Sequence, residues 1–308
     1  MADLPDDPKW PRAAGWLAEG TRAWQAAPSL VADLGLLGVP TWATSISPTR
    51  ADSTPAAVRA ALARYSVWAE STDTDLRDLL AVDLGDIAEP DGDEGEARTR
   101  ETLARWTGQL LVALGGDNSL TYAVTRGLRA TGLVTLDAHH DLRDGRSNGS
   151  PVARLIADGV IDPRRIVQVG ISDFANSPDY ARRARALGIK VITREQIARN
   201  GIVPSMTKAL AIAGDGPEPR VHVDLDVDVC DRSVAPGCPA AAPGGISAWE
   251  FRQAARSAGQ DRRVVGVDFA EVDASADTPD GRTVRLVALG VLEVAAGLTK
   301  RRVRMLAV

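Results

Sequence analysis

The sequence predicts an α/β protein built on a parallel sheet covered by helices. From Leu34 onward, short apolar strand-like runs alternate with helical patterns, the order that arises when each strand returns to the next through a crossover helix. Two acid-rich stretches, Asp137-Ala138-His139-His140-Asp141 and Asp224-Leu225-Asp226-Val227-Asp228, each follow an apolar run directly. That places carboxylates at strand ends, where open α/β sheets carry their chemistry. A chain of 308 residues with 44% apolar content can bury a large core as one domain spanning residues 1–308.

Residues 1–25 carry Trp10, Trp16 and Trp24 in a polar, Pro-containing context. They read as an N-terminal arm packed on the body or on a neighbouring subunit. The expected strands are Leu34–Val39, Leu79–Leu84, Leu110–Leu114, Gly132–Leu136, Ile166–Gly170, Lys190–Ile192, Val221–Asp226 and Val264–Phe269. Helical patterns fill most gaps, among them Pro55–Tyr65, Ala97–Trp106, Leu120–Leu128 and Trp249–Ala258. The polar segment Glu89–Glu94 reads as a solvated loop and Lys300-Arg301-Arg302-Val303-Arg304 as a solvated end.

A formal charge of −5 without a Lys/Arg stripe argues against nucleic-acid or membrane-surface partners. No apolar stretch reaches the length of a membrane span. Two cysteines, Cys230 and Cys238, form neither a disulfide framework nor a zinc set, and the start lacks a signal-peptide pattern, so a cytoplasmic location is expected.

Acid-rich segments usually mark solvated turns. Here alternation along extended backbone would turn Asp137, His139 and Asp141 to the same side of their segment, and likewise Asp226 and Asp228. Carboxylates crowded on one face resist ionisation unless cations sit among them, so the economical reading is a metal site. Its oxygen-rich set with one imidazole points to manganese before zinc. An EF-hand is excluded: counting from Asp224, the sixth position is Val229 and the twelfth Ala235, where that loop needs Gly and Glu. His222 reads as a satisfied core histidine.

After the strand at Leu110 comes Gly115-Gly116-Asp117-Asn118-Ser119, where glycines allow a tight turn. Together with the Asp137–Asp141 stretch, Asp226-Val227-Asp228, Ala235-Pro236-Gly237 and Asp268-Phe269-Ala270-Glu271, the order and spacing resemble the arginase, agmatinase and formiminoglutamase family of ureohydrolases, from about Leu34 to Leu298. The resemblance implies a three-layer α/β/α sandwich around an eight-stranded, mostly parallel sheet, with two manganese ions per chain bridged by a hydroxide. It also implies a homo-oligomer, trimeric or hexameric. Carried onto this sequence, Asp137 and Asp226 would bridge the ions, His139 and Asp228 would complete one, and Asp141 with position 118 the other. Relatives usually have His at that last position and this chain has Asn118, an acceptable but poorer donor that implies a weaker second ion.

By the same resemblance Asp141 would orient the hydroxide, and Glu271 would accept two N–H bonds from an amidinium or guanidinium. The plainer alternative for Glu271 is a turn carboxylate at the surface. Asp268 reads as an acceptor behind the ligands. Relatives often place a proton-shuttling His where Asn148 falls, which leaves Asp141, water or His140 to protonate the leaving group; His140 reads better as a core imidazole. Asn148, Arg143 and Arg146 are the substrate-binding candidates on the loop after Asp141. Guanidinium groups match carboxylates and repel a cationic amine, so the loop fits N-formimino-L-glutamate better than agmatine, unless the arginines face solvent or pair with Asp144. Asp137–Asp141 and Pro236-Gly237-Cys238-Pro239 look most like formiminoglutamase sequences. The expected reaction is hydrolysis of a linear amidine, N-formimino-L-glutamate giving L-glutamate and formamide. Two alternatives stay open: a guanidino-compound hydrolase releasing urea, and, because of Asn118 and Asn148, a member that binds without turnover.

Overall fold

Strands form where β-branched and leucine-rich runs are bounded by polar or glycine residues. In the computed structural model, which describes residues 7–27 and 29–306, these are β1 (Leu34–Val39), a small antiparallel ribbon of β2 (Trp68–Ala69) and β3 (Thr74–Asp75), β4 (Ala81–Asp86), β5 (Leu110–Gly115), β6 (Gly132–Leu136), β7 (Ile166–Ile171), β8 (Lys190–Thr193), β9 (Val221–Asp226) and β10 (Val264–Ala270). Eight of them pair in the order β4-β1-β5-β10-β9-β6-β7-β8, and every pairing in this sheet is parallel. All eight expected strands are present, β4 displaced by two residues. Leu79 closes a turn instead, and Leu80 N–H donates to Asp33.

Among the described residues ten α-helices accompany the strands: α1 (Ala13–Ala26), α2 (Thr54–Leu62), α3 (Gly92–Ala104), α4 (Leu120–Gly127), α5 (Pro151–Ala157), α6 (Pro178–Leu187), α7 (Arg194–Asn200), α8 (Ile202–Ala213), α9 (Ala248–Gln260) and α10 (Arg282–Leu306). Strand alternation sorts the core into two faces. Leu34, Leu36, Val112, Leu114, Val223 and Val267 pack with α1, α2 and α7–α10, while Leu37, Leu111, Ala113 and Leu133 pack with α3–α6. The result is the three-layer sandwich. Among the described residues no helix is long and apolar enough to cross a membrane.

Two expectations change. Helix α3 begins at Gly92, inside the segment expected to be a loop, because Asp93 and Glu94 in its first turn favour the helix N-terminus. Arg301 is no solvated end: it is buried, and its guanidinium donates to the Ala258, Gly259 and Val264 carbonyls, satisfying the C-terminal end of α9. The described part of the N-terminal arm belongs to the sheet's cover. Trp16 is buried with Nε1 on the Leu79 carbonyl, and a Cβ on Gly20 would stand 2.0 Å from the Ala81 oxygen; residues 1–6 lie outside the described residues.

Candidate functional site

The motif residues gather at the carboxyl ends of β5, β10, β9 and β6, which are contiguous in the sheet. Each arrives by its own local device. After β5, Gly116 lies against the loop that leaves β1: a Cβ there would stand 1.7 Å from the Thr41 carbonyl oxygen, which accepts from Asp117 N–H at 2.8 Å. After β10, Glu271 N–H donates to the Gly116 carbonyl at 2.8 Å. Asp141 (φ 50°) and Glu271 (φ 62°) both hold left-handed backbone, strain of the kind that surrounding contacts maintain at functional sites.

Strand alternation is not what aims the carboxylates. The strands stop at Leu136 and Asp226, and tight turns take over. Asp137 Oδ1 accepts from His139 N–H at 2.6 Å and Asp226 Oδ1 from Asp228 N–H at 2.8 Å, while Asp228 Oδ1 accepts from Ala138 N–H at 3.0 Å. These bonds lock the two turns together. Donor atoms of Asp137, His139 and Asp228 lie within 4.8 Å of one another, with His139 Nδ1 2.6 Å from Asp228 Oδ2.

Electrostatics show the strain of that crowding. Burial and the Asp228 charge push Asp137 up to about 7. Burial with Asp137 raises Asp141, and burial with Asp228 and Asp137 raises Asp226, both well above the carboxylate range. Burial opposes charge on His139, yet hydrogen bonds to Asp137 and Asp228 hold its imidazole up at about 12. Burial alone would raise Asp228; the bond and charge of His139 keep it low. Asp137 Oδ2 is buried without a hydrogen-bond partner. Aggregated buried carboxylates, an orphan oxygen and one imidazole fit a divalent cation, and the oxygen-rich set fits manganese.

Asn118 stands at this cluster without offering an oxygen to it. Its Nδ2 donates to Asp141 Oδ2 at 2.6 Å, and its Oδ1 lies 2.6 Å from Thr121 Oγ1. Thr121 Oγ1 is also 3.0 Å from Asp268 Oδ2, which meets His222 Nε2 at 2.8 Å. His222 and Asp268 are therefore buried supports, as the sequence indicated. Glu271 is buried too, which settles it against a surface turn. Its Oε1 accepts from Asn118 N–H and from Asn148 Nδ2, each at 2.8 Å, and among the described residues no donor meets Oε2. Burial and the Asp117 charge push it up to about 8, so a cation above it would be needed to keep it ionised at neutral pH.

Above the cluster opens a cavity of about 310 Å³, lined by His139, Asp141, Asp226, Asp228 and Glu271 at its base, with Arg143 at its exposed rim. Arg143 is the one Lys or Arg among the lining residues, and no ion pair or side-chain hydrogen bond engages it among the described residues. Arg146 is not brought there. It pairs with Asp93 and, at 3.6 Å, with Glu96 on α3, because two acids on that helix hold it away from the cavity. Asp144, a suggested partner of these arginines, binds Arg183 instead. Asn148 lines the cavity with its amide committed to Glu271 and Ile46. His140 Nδ1 is 2.6 Å from Gln168 Oε1, and burial lowers its pKa, which makes it a neutral supporting imidazole. Cys230 and Cys238 are buried and free.

Asn176, Ser177 and Tyr180 also line the cavity and were not singled out from sequence. The Ser177-Pro178 helix start after β7 was the available signal, since it places them in a strand-to-helix loop on the same sheet edge.

Residues 32–297 match the model of the arginase family. A formimidoylglutamase of Halalkalibacterium halodurans is 34% identical over 260 residues, 79% of this chain and 80% of that protein. A guanidinopropionase of Pseudomonas aeruginosa is 34% identical over 207 residues, 64% of this chain and 63% of its own. The crystal structure of formimidoylglutamase from Bacillus subtilis superposes with a TM-score of 0.87 at 28% identity, covering 96% of this chain and 94% of that one. Parallel sheet, strand-end acid cluster and family match agree: the chain belongs to the arginase family.

Proposed function

We propose that this chain is a manganese-dependent hydrolase that converts N-formimidoyl-L-glutamate (N-formimino-L-glutamate) and water to L-glutamate and formamide. The observation that carries the substrate choice is one cavity holding a base of buried carboxylates with Arg143, unpaired among the described residues, at its rim. The base suits the cationic amidine, and a guanidinium fork suits a substrate carboxylate. Tyr180 and Ser177, which also line the cavity, offer hydroxyls that would suit the second carboxylate.

Two ions, as the family resemblance implies, would be held by Asp137, His139, Asp141, Asp226 and Asp228. Asn118, with Oδ1 turned to Thr121, is at most a weak donor, so the ion beside it is the more easily lost. When bound, manganese supplies the Lewis-acid charge that makes water a nucleophile at neutral pH. Glu271 Oε2 accepts an amidinium N–H and fixes the electrophilic carbon, one contact where the resemblance implied two. Asp141, steadied by Asn118 Nδ2, orients the attacking water and takes its proton. Water oxygen then bonds to the formimidoyl carbon, the bond from that carbon to the glutamate nitrogen breaks as the carbonyl forms, and the nitrogen leaves with the proton that Asp141 took. The family resemblance further supports a trimeric or hexameric assembly of one-domain chains in the cytoplasm, which light scattering of the purified protein tests for its mass.

A guanidino acid releasing urea is the second reading, favoured by the same Arg143, which would grip any carboxylate. Comparing kcat/KM across N-formimidoyl-L-glutamate, 3-guanidinopropionate, arginine and agmatine with excess manganese separates them. The proposal expects the amidine first and agmatine last; a guanidino acid ranked first would replace it with the urea-releasing reading.

A further inference from the structure

We propose that Asn148 is a positioning residue that acts through Glu271 and the wall at Ile46, and that it does not itself bind substrate. The kinetic part of this inference rests on the hydrolase reading; the structural part does not. Nδ2 of Asn148 donates to Glu271 Oε1 at 2.8 Å, its Oδ1 accepts from Ile46 N–H at 3.0 Å, and its backbone N–H donates to the Thr44 carbonyl at 3.3 Å. Chemistry fixes the amide's orientation. Turned over, its oxygen would face a carboxylate and its NH2 an N–H, and both bonds would be lost.

Three parts of the cavity depend on this one amide. Glu271 has left-handed backbone, so contacts from outside must set where its free oxygen points. Two donors from different strand-end loops, Asn118 N–H and Asn148 Nδ2, converge on the same oxygen and leave Oε2 as the one available to a ligand. The second part is the wall. Ile46 and Ser47 line the cavity within a segment held at one end by Asp91, which accepts from Trp42 and Ala43 N–H, and at the other by Asp273, which accepts from Thr49 and Arg50. Between those anchors Asn148 ties the segment to the loop that bears Arg143, whose own N–H donates to the Gly149 carbonyl at 3.0 Å. That loop is the third part. A side chain holding base, wall and rim in register fixes the distance from the amidine-binding oxygen to the carboxylate-binding arginine, and small misplacements of such groups cost rate.

Two substitutions separate the ends of the amide. In Asn148→Asp the carboxylate still accepts from Ile46 N–H but cannot donate to Glu271; in Asn148→Ala both contacts go. Amide hydrogen exchange at Ile46 in the full-length manganese-loaded protein should be slow in wild type and Asn148→Asp and fast in Asn148→Ala. Equal exchange in wild type and Asn148→Ala overturns the tie. With N-formimidoyl-L-glutamate both variants should lose kcat by about tenfold or more, with KM changed less. In a Glu271→Gln background, adding Asn148→Ala should cost less than about threefold, because coupled residues are not additive. Full additivity, or a loss confined to KM, overturns the positioning role and makes Asn148 a direct substrate contact. A wild type that hydrolyses none of the amidines or guanidino acids would sink the proposed reaction, while exchange at Ile46 would still decide the tie.

Discussion

Replacing Arg143 with Ala tests the substrate reading at the side chain that distinguishes this cavity from one suited to an amine. Arg143 is exposed, lines the rim and has no ion-pair partner among the described residues, so its removal strands no buried carboxylate there and should leave the fold intact. A hydrogen bond between charged groups contributes about 1.5–3 kcal/mol, and full exposure reduces such a pair towards about 0–1 kcal/mol. An exposed rim site lies between, at about 1–2 kcal/mol. At about 1.4 kcal/mol per factor of ten, KM for N-formimidoyl-L-glutamate should rise about five- to twenty-fivefold. Turnover should change little, since the carboxylate is held equally in the ground and transition states. Steady-state kinetics at two ionic strengths supply the assay: added salt should raise the wild-type KM and leave that of Arg143→Ala nearly constant. Arg146→Ala serves as the control, because its partners are Asp93 and Glu96 on α3. Equal losses in both variants, or an unchanged KM in Arg143→Ala, would refute the assignment of the rim.

Other perturbations reach other parts of the account. Glu271→Gln keeps the shape but removes the charge that faces the amidinium, so kcat should fall by about tenfold or more while metal content stays constant, as kinetics and elemental analysis would report. Asn118→His should lower the manganese concentration needed for half-maximal activity, by offering an imidazole where the amide oxygen is turned to Thr121; an unchanged metal titration would show that position 118 does not reach the ion. Gly116→Ala puts a Cβ 1.7 Å from the Thr41 oxygen, and overpacking of about 1–3 kcal/mol should lower Tm by several degrees in a thermal melt.

Strand existence was legible because strand-like runs of four to seven residues, such as Leu110–Gly115, are bounded by polar or glycine residues. Sheet order was not: nothing local in the sequence says that β10 and β9 insert between β5 and β6, which is what brings Asn118, Asp137, Asp226 and Glu271 together. The ligand candidates could be named from motif order, yet for a partly mistaken reason, since turns and not strand alternation converge Asp226 and Asp228. Arg143 and Arg146 looked equivalent because a glycine-bearing loop has no period. Only tertiary partners, Glu96 and Asp93 on a helix some fifty residues earlier, decide which one faces the cavity. Likewise, the commitment of Asn148 to Ile46 and Glu271 joins segments 102 and 123 residues away.

The central claim, manganese-dependent amidine hydrolysis at this acid cluster, is tested most directly by product analysis. N-formimidoyl-L-glutamate labelled with 13C at the formimidoyl carbon would be mixed with manganese-loaded protein and followed by NMR. The account predicts labelled formamide and L-glutamate appearing in equal amounts, stopping on chelation and resuming when manganese is restored. Unchanged substrate in the presence of excess manganese, or formamide released at an unaltered rate after the metal has been removed, would contradict it.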